Sequence, residues 1–151
     1  MTIDFTCKTH CEQNSCTLEV SITNKNNNTL FFTPASLLKG DNLHKEWTIN
    51  KNNNTINCHW YSSPSAPQGE IDIKPNEMKT SHVLINSYCD ISTCRGTPCF
   101  LEIKSTEPYY AEKMSTEHAG TFERNCTTVI LLHDTGKYVD LVGSSTIVVY
   151  E

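Results

Sequence analysis

Period-two alternation of apolar and polar positions runs through much of this chain and predicts strands. Residues 17–23 place Leu18, Val20 and Ile22 on one face and polar side chains on the other, the pattern of a half-buried strand. The polar run 24–28 reads as a turn, and 29–33 as a returning strand stopped by Pro34, so the pair predicts a hairpin. A loop follows through Gly40 and Asn42. Residues 47–49 read as a short strand, 51–54 as a second asparagine turn, and 56–61 as the next strand, with Ile56, Cys58 and Trp60 on one side. Two prolines and a glycine make residues 62–69 a loop.

Residues 70–74 alternate again and stop at Pro75-Asn76. Residues 81–85, 99–104, 127–132, 138–142 and 145–150 also read as strands, with a tight turn at Asp134-Thr135-Gly136 between the third and fourth of these. Residues 89–98 form a cysteine-rich connection, and 106–120 lack a clear period and have room for one helical turn. The cysteine-dense start has little periodicity. The expected organisation is a cysteine-rich N-terminal arm, residues 1–16, followed by a single domain over 17–151. About eight to ten short strands with regular turn punctuation and no amphipathic helix favour an all-β sandwich or barrel. There is no internal repeat.

Composition explains how so lean a chain holds together. Its 151 residues fit one domain, yet only 37% are hydrophobic and 9% aromatic, and mean hydropathy is −0.43. Covalent links are the expected supplement. Cys7, Cys11, Cys16, Cys58, Cys89, Cys94, Cys99 and Cys126 form an even set of eight, as a fully oxidised framework requires. Zinc is the alternative use of thiolates, but the spacings are C-x3-C and C-x4-C with no C-x2-C pair. Disulfides are therefore predicted, and they place the chain in an oxidising, extracellular compartment. Eight cysteines allow roughly a hundred connectivities. The expectation is that at least one bond ties the N-terminal triplet to the 89–99 connection.

Three sequons agree with that compartment: Asn27-Asn28-Thr29, Asn53-Asn54-Thr55 and Asn125-Cys126-Thr127. Each N-linked glycan belongs on an exposed loop or strand end. No signal peptide is legible in Met1-Thr2-Ile3-Asp4-Phe5, so a secreted protein would be represented here by its mature form or by a version lacking its leader. The longest plainly apolar run, 129–132, is far below the ~20 residues of a membrane-spanning helix, so no membrane span is expected. A net charge of −5 with scattered lysines lacks the basic face that nucleic acid requires, so no nucleic-acid partner is expected.

Candidate chemistry is sparse. Asp134-Thr135-Gly136 matches the Asp-Thr-Gly of aspartic proteases, which pair two such carboxylates. Here one copy is present and Lys137 follows it, so the segment reads as a turn in which Gly136 supplies a positive φ. His10, His44, His59, His82, His118 and His133 are dispersed without an i, i+4 pairing. His133 adjoins Asp134, but no G-x-S-x-G elbow supplies a nucleophile. Glu117-His118 and Glu123 are too little for a site. No catalytic residue, metal site or cofactor is predicted. Trp47, Trp60 and Tyr61 read as core aromatics. Tyr109-Tyr110, after Pro108 in the least regular segment, is the candidate contact patch.

Residues 16–104 resemble the N-terminal β-sandwich domain that precedes the catalytic domain in deuterolysin-type and peptidyl-Lys-type fungal metallopeptidases. Residues 18–24 with 29–32 resemble that domain's V-x-L-x-N-x-x-x-x-x-L opening hairpin. Residues 71–77 resemble its L-x-P-G-E turn, with Asn76 where glycine is usual. Residues 85–92 followed by 100–103 resemble its L-x-x-x-Y-D-L-x corner and next strand, with Cys89 between the tyrosine and the aspartate. No H-E-x-x-H occurs, so the zinc-protease activity does not come with the resemblance. The resemblance implies an immunoglobulin-like antiparallel β-sandwich and a domain that shields or binds a protease. The expected function is that of a secreted, N-glycosylated, non-catalytic module acting by protein–protein binding, protease binding or inhibition included. The alternative is a structural subunit of an extracellular filament or coat, self-associating by terminal strand addition.

Overall fold

A computed structural model describes residues 1–38, 47–58, 69–133 and 139–151. Gly40, Asn42, His44, His59, Trp60, Tyr61, the loop up to residue 68, and the Asp134-Thr135-Gly136 turn with Lys137 lie outside the described residues.

The chain is all-β and antiparallel. Its strands are β1 (Ile3–Cys11), β2 (Cys16–Asn24), β3 (Leu30–Phe32), β4 (Trp47–Lys51), β5 (Asn54–Thr55), β6 (Ile71–Ile73), β7 (Met78–Leu84), β8 (Cys99–Tyr110), β9 (Gly120–Ile130), β10 (Val139–Val142) and β11 (Ser144–Tyr150). One sheet has the order β10-β1-β2-β7. The other runs β11-β9-β8-β3-β6, with the β4–β5 hairpin on β8. Strand β8, at 12 residues, is long enough to hold β4 along its first half and β3 at its far end. Between the sheets lies a core of Phe5, Leu18, Val20 and Ile22 against Phe32, Ile49, Leu101, Ile103, Tyr109 and Phe122. Phe32 and Phe122 meet edge to face at 5.9 Å.

Residues 1–16 are not an arm. β1 sits between β2 and β10 and buries Ile3, Phe5, Cys7, Thr9 and Cys11. The alternation was there, but two cysteines and a threonine hold inward positions that an apolar count does not register. The hairpin expected over 17–33 is also corrected, and the strands flanking 134–136 pair with other strands and not with each other. β2 and β3 lie in different sheets, and β3 pairs with β6 and β8. β10 pairs with β1, and β9 with β8 and β11. Of the strand expected over 56–61, the described residues hold only an isolated bridge at Cys58; the paired residues, β5, come just before it at Asn54–Thr55. Segment 106–120 contains no helical turn: β8 continues to Tyr110, and a loop leads to Gly120.

All eight cysteines pair, as Cys7–Cys126, Cys11–Cys16, Cys58–Cys89 and Cys94–Cys99. Cys7 faces the core from the first sheet, so it meets Cys126 on β9 of the second, not the 89–99 connection. The other three bonds gather at one end of the sandwich, around the turns 12–15 and 85–98. Cys11 and Cys16 face each other across the β1–β2 ladder with Cα atoms 4.1 Å apart. Between β10 and β11 the chain changes sheets at Gly143, whose amide donates to the Cys7 carbonyl at 2.8 Å. Bends of this kind are how one strand serves two packed sheets.

Candidate functional site

The end of the sandwich opposite the three clustered disulfides carries three turns: 25–29 between β2 and β3, 74–77 between β6 and β7, and 111–119 between β8 and β9. Among the described residues no disulfide holds this end; hydrogen bonds do. Asn24, the last residue of β2, is fully buried. Its Nδ2 donates to the carbonyls of Asn28 and Ile73, each at 2.8 Å, and its Oδ1 accepts from the backbone and side-chain amides of Asn26, each at 2.9 Å. Its own amide donates to the Glu77 carbonyl at 3.1 Å, and its carbonyl accepts from the Asn76 amide at 2.7 Å. One side chain thus joins the first turn to β6, and its backbone holds the second turn. Asn76 has φ +62°, which explains an asparagine where a glycine would also serve. Thr2 closes the outside, exchanging backbone groups with the Asn26 side chain at 2.9 and 2.8 Å.

The third turn is held by Glu70, the residue before β6. The Met114 amide donates to the Glu70 carboxylate at 3.0 and 3.2 Å, and Met114 has φ +57°, a left-handed conformation that an unbranched side chain adopts only when held there. Its side chain is 82% exposed, level with Val142 as the most exposed large apolar group in the described residues. Beneath it a cavity of about 620 Å³ is bordered by Phe31, Glu70, Asp72, Lys113 and Ser115. A second depression of about 510 Å³ adjoins it on the other side of Phe31, toward Met1, Asn27 and Ala111. The Met114 thioether, on a braced loop, thus stands beside the Phe31 ring of β3 and the carboxylates of Glu70 and Asp72. A flexible methionine suits apolar contact with varied partner shapes.

The two tyrosines of the expected contact patch separate here. Tyr109 is a correction: it points inward with the other odd-numbered residues of β8, is fully buried, and packs under Gly120. Its hydroxyl donates to the Tyr150 carbonyl at 3.4 Å, and burial, with the charge of Glu151, pushes that hydroxyl's pKa up. Tyr110 points outward, half-buried, and meets the His118 ring edge to face at 5.2 Å. It borders the loop that presents Met114.

Asn27 is exposed in the first turn of this end. Asn53 is exposed at the tip of the β4–β5 hairpin, at the disulfide-dense end, with φ +66°. Asn125 departs from the expectation of a loop or strand end: it stands in the middle of β9 on the outward face, half-buried.

The remaining candidates stay apart. His10 Nδ1 lies 2.5 Å from Asp140 on the outer face of the first sheet, and that hydrogen bond holds the Asp140 carboxyl below its usual range. His82 and Lys8 flank Glu19 on the same face, at 3.5 and 3.1 Å. His133 Nε2 is 3.3 Å from the Cys11 carbonyl, and Glu123 faces the Tyr150 hydroxyl on β9. Among the described residues no three His, Cys, Asp or Glu side chains converge as metal ligands. No described helix is long and apolar enough to cross a membrane.

Asn24 and Met114 were not singled out in the sequence. Strand parity carried a signal for the first, since it continues the inward series of Leu18, Val20 and Ile22. Nothing local marked Met114, whose position depends on Glu70, 44 residues away. No family model, curated protein or solved structure matches this chain.

Proposed function

We infer that the chain is a secreted, N-glycosylated, non-catalytic module that binds another protein through the 25–29, 74–77 and 111–119 end of its sandwich. The observation that carries this reading is Met114, an apolar side chain held out to solvent on a left-handed backbone braced by Glu70. Conformations of that kind persist where the surroundings fix them, and they concentrate at binding sites. The disulfide framework supports the extracellular compartment.

The strand order supports an immunoglobulin-like reading of the sandwich. β1, β2 and β7 take the places of strands A, B and E, and β3, β8 and β9 those of C, F and G. On that assignment two of the three turns of the proposed binding end, 25–29 and 111–119, are the B–C and F–G loops, which immunoglobulin variable domains use for recognition. Cys7–Cys126 then joins A to G, where antibody domains join B to F, and β10–β11 is an additional strand. Assembly into a filament by terminal strand addition is the weaker reading, because β1 and β11 already pair with strands of their own chain.

An array of extracellular proteins that includes zinc metalloproteases tests the reading when probed with wild-type protein, Met114→Lys and Val142→Lys. Val142 is equally exposed but lies on the first sheet. The expected result is a partner bound by wild type and by Val142→Lys and lost at least tenfold with Met114→Lys, a charge at a central apolar anchor being worth about 2 kcal/mol or more. A partner indifferent to Met114, or growth of the free protein to high mass in light scattering, overturns it.

A further inference from the structure

We propose that Asn125 carries an N-linked glycan whose first sugars lie in a groove across β8, β9 and β11, making this face of the second sheet a sugar-covered surface. The proposal rests on the secreted reading above.

By position alone Asn125 is the least promising of the three sequons, because it stands mid-strand. Strand parity changes that. β9 sends Phe122, Arg124, Cys126 and Thr128 into the core and Glu123, Asn125 and Thr127 outward. The sequon's asparagine and its hydroxyl residue therefore share the solvent face while its middle cysteine is locked to Cys7 inside. Lys104 on β8 and Thr146 on β11 are the register neighbours of Asn125. With Thr106, Glu123 and Val148 they border a groove of about 550 Å³ that opens to solvent. Polar rims around an exposed aliphatic side chain, Val148, suit a sugar, which has hydroxyl edges and an apolar ring face.

A second observation comes from the asparagine itself. Asn125 Oδ1 and Ser36 Oγ are the two buried side-chain atoms in the described residues that have no hydrogen-bond partner. A buried acceptor without a donor is costly, and each instance in a native structure calls for an explanation. A 2-acetamido sugar carries hydroxyl and amide donors beside its C1, so attachment at Nδ2 brings donors to this oxygen.

The chemistry is a glycosyl transfer from a lipid-diphosphate-linked oligosaccharide. The bond from Nδ2 to sugar C1 forms, the C1–oxygen bond breaks with its electron pair leaving on the diphosphate, and the amide gives up one proton. Because β9 is central to its sheet and Cys126 is bonded, the transfer takes place on the extended chain before Cys7–Cys126 closes.

Peptide mapping by mass spectrometry of protein secreted from eukaryotic cells tests this, before and after treatment with a peptide N-glycosidase on native and on denatured, reduced material. The expected result is a glycan at Asn125 that is released from the native protein about tenfold or more slowly than from the denatured chain, since release requires local opening of the sheet. Glycans at Asn27 and Asn53, in exposed turns, are expected to leave at similar rates from both. An unmodified Asn125 beside a modified Asn27 or Asn53 overturns the proposal and leaves the secreted reading standing. Three bare sequons overturn both. A glycan at Asn125 that leaves as readily from native as from denatured protein overturns the groove as its seat.

Discussion

A polar side chain survives at a core position when its atoms are answered, and Asn24 and Arg124 show two ways of doing so. Arg124 is 2% exposed. Its Nε donates to Ser105 Oγ at 2.5 Å and its terminal nitrogens to the carbonyls of Ser36 and, at 2.9 Å, Ala35, while the guanidinium lies over Phe5 at 5.0 Å. It fastens the 3₁₀ turn Pro34–Leu37 to β9 and so fills the space between the sheets. Asn24 does the same for the loop end. Asn24→Ala is expected to cost about 2–3 kcal/mol, since it removes several buried hydrogen bonds and leaves the carbonyls of Asn28 and Ile73 without that donor. Urea denaturation checks the magnitude, and amide exchange at Asn26, Asn76 and Glu77 should quicken beyond the global effect. A loss below about 0.5 kcal/mol, the range of an ordinary surface change, would remove Asn24 from this role. Asn24 was legible as inward by parity, whereas Arg124 fell in a stretch assigned to no strand, and both were illegible by type, because a sequence pattern reads polarity as exposure. Tyr109 failed in the same way: a neighbouring Pro108 and an irregular stretch suggested a surface, while its alternation with Ile103, Ser105 and Glu107 put it inside.

At the scale of elements, strand existence was far more legible than strand partnership. Nine of the ten expected strands overlap observed ones because local alternation fixes which face of a segment is apolar. Which neighbour it pairs with depends on turns that either reverse within a sheet or cross to the other, and that choice is made by contacts distant in sequence. The β2–β3 turn crosses because Asn24 ties it to β6, and β10 reaches β1 because Gly143 lets the chain pass beside the inter-sheet disulfide. An added Cβ at Gly143 would stand 2.5 Å from Cys7 Sγ, 3.0 Å from the Thr127 carbonyl and 3.1 Å from Cys126 Sγ. Atoms in a close-packed interior cannot simply withdraw, so Gly143→Ala should destabilise by about 1–3 kcal/mol. Gly69, whose Cβ would meet nothing within 4 Å, is the matched control, and Gly69→Ala should stay within about 0.5 kcal/mol of wild type. Equal denaturation midpoints for the two variants would show that the sheet change at residue 143 tolerates a side chain.

For the whole molecule, the eight cysteines were legible as an oxidised framework and their pairing was not, because connectivity is a property of topology and only the folded arrangement puts Cys7 opposite Cys126. The four bonds are also unequal. Loops of 5 residues are closed by Cys11–Cys16 and Cys94–Cys99, one of 31 by Cys58–Cys89, and one of 119 by Cys7–Cys126. In the chain-entropy account the long loop is worth about 5 kcal/mol and each short one about 2. The three lesser bonds fix the geometry of one end, around turns 12–15 and 85–98, while Cys7–Cys126 restrains nearly the whole unfolded chain and pins the two sheets together. With total stabilities of about 5–15 kcal/mol typical of such domains, that single bond decides whether a lean core suffices. Replacing Cys7 and Cys126 together by alanine should therefore lower stability by about 3–5 kcal/mol, and replacing Cys94 and Cys99 by about 2, both read from denaturant unfolding of the oxidised proteins. The opposite ranking would mean that the disulfide-dense end, and not the tie between sheets, limits the stability of the sandwich.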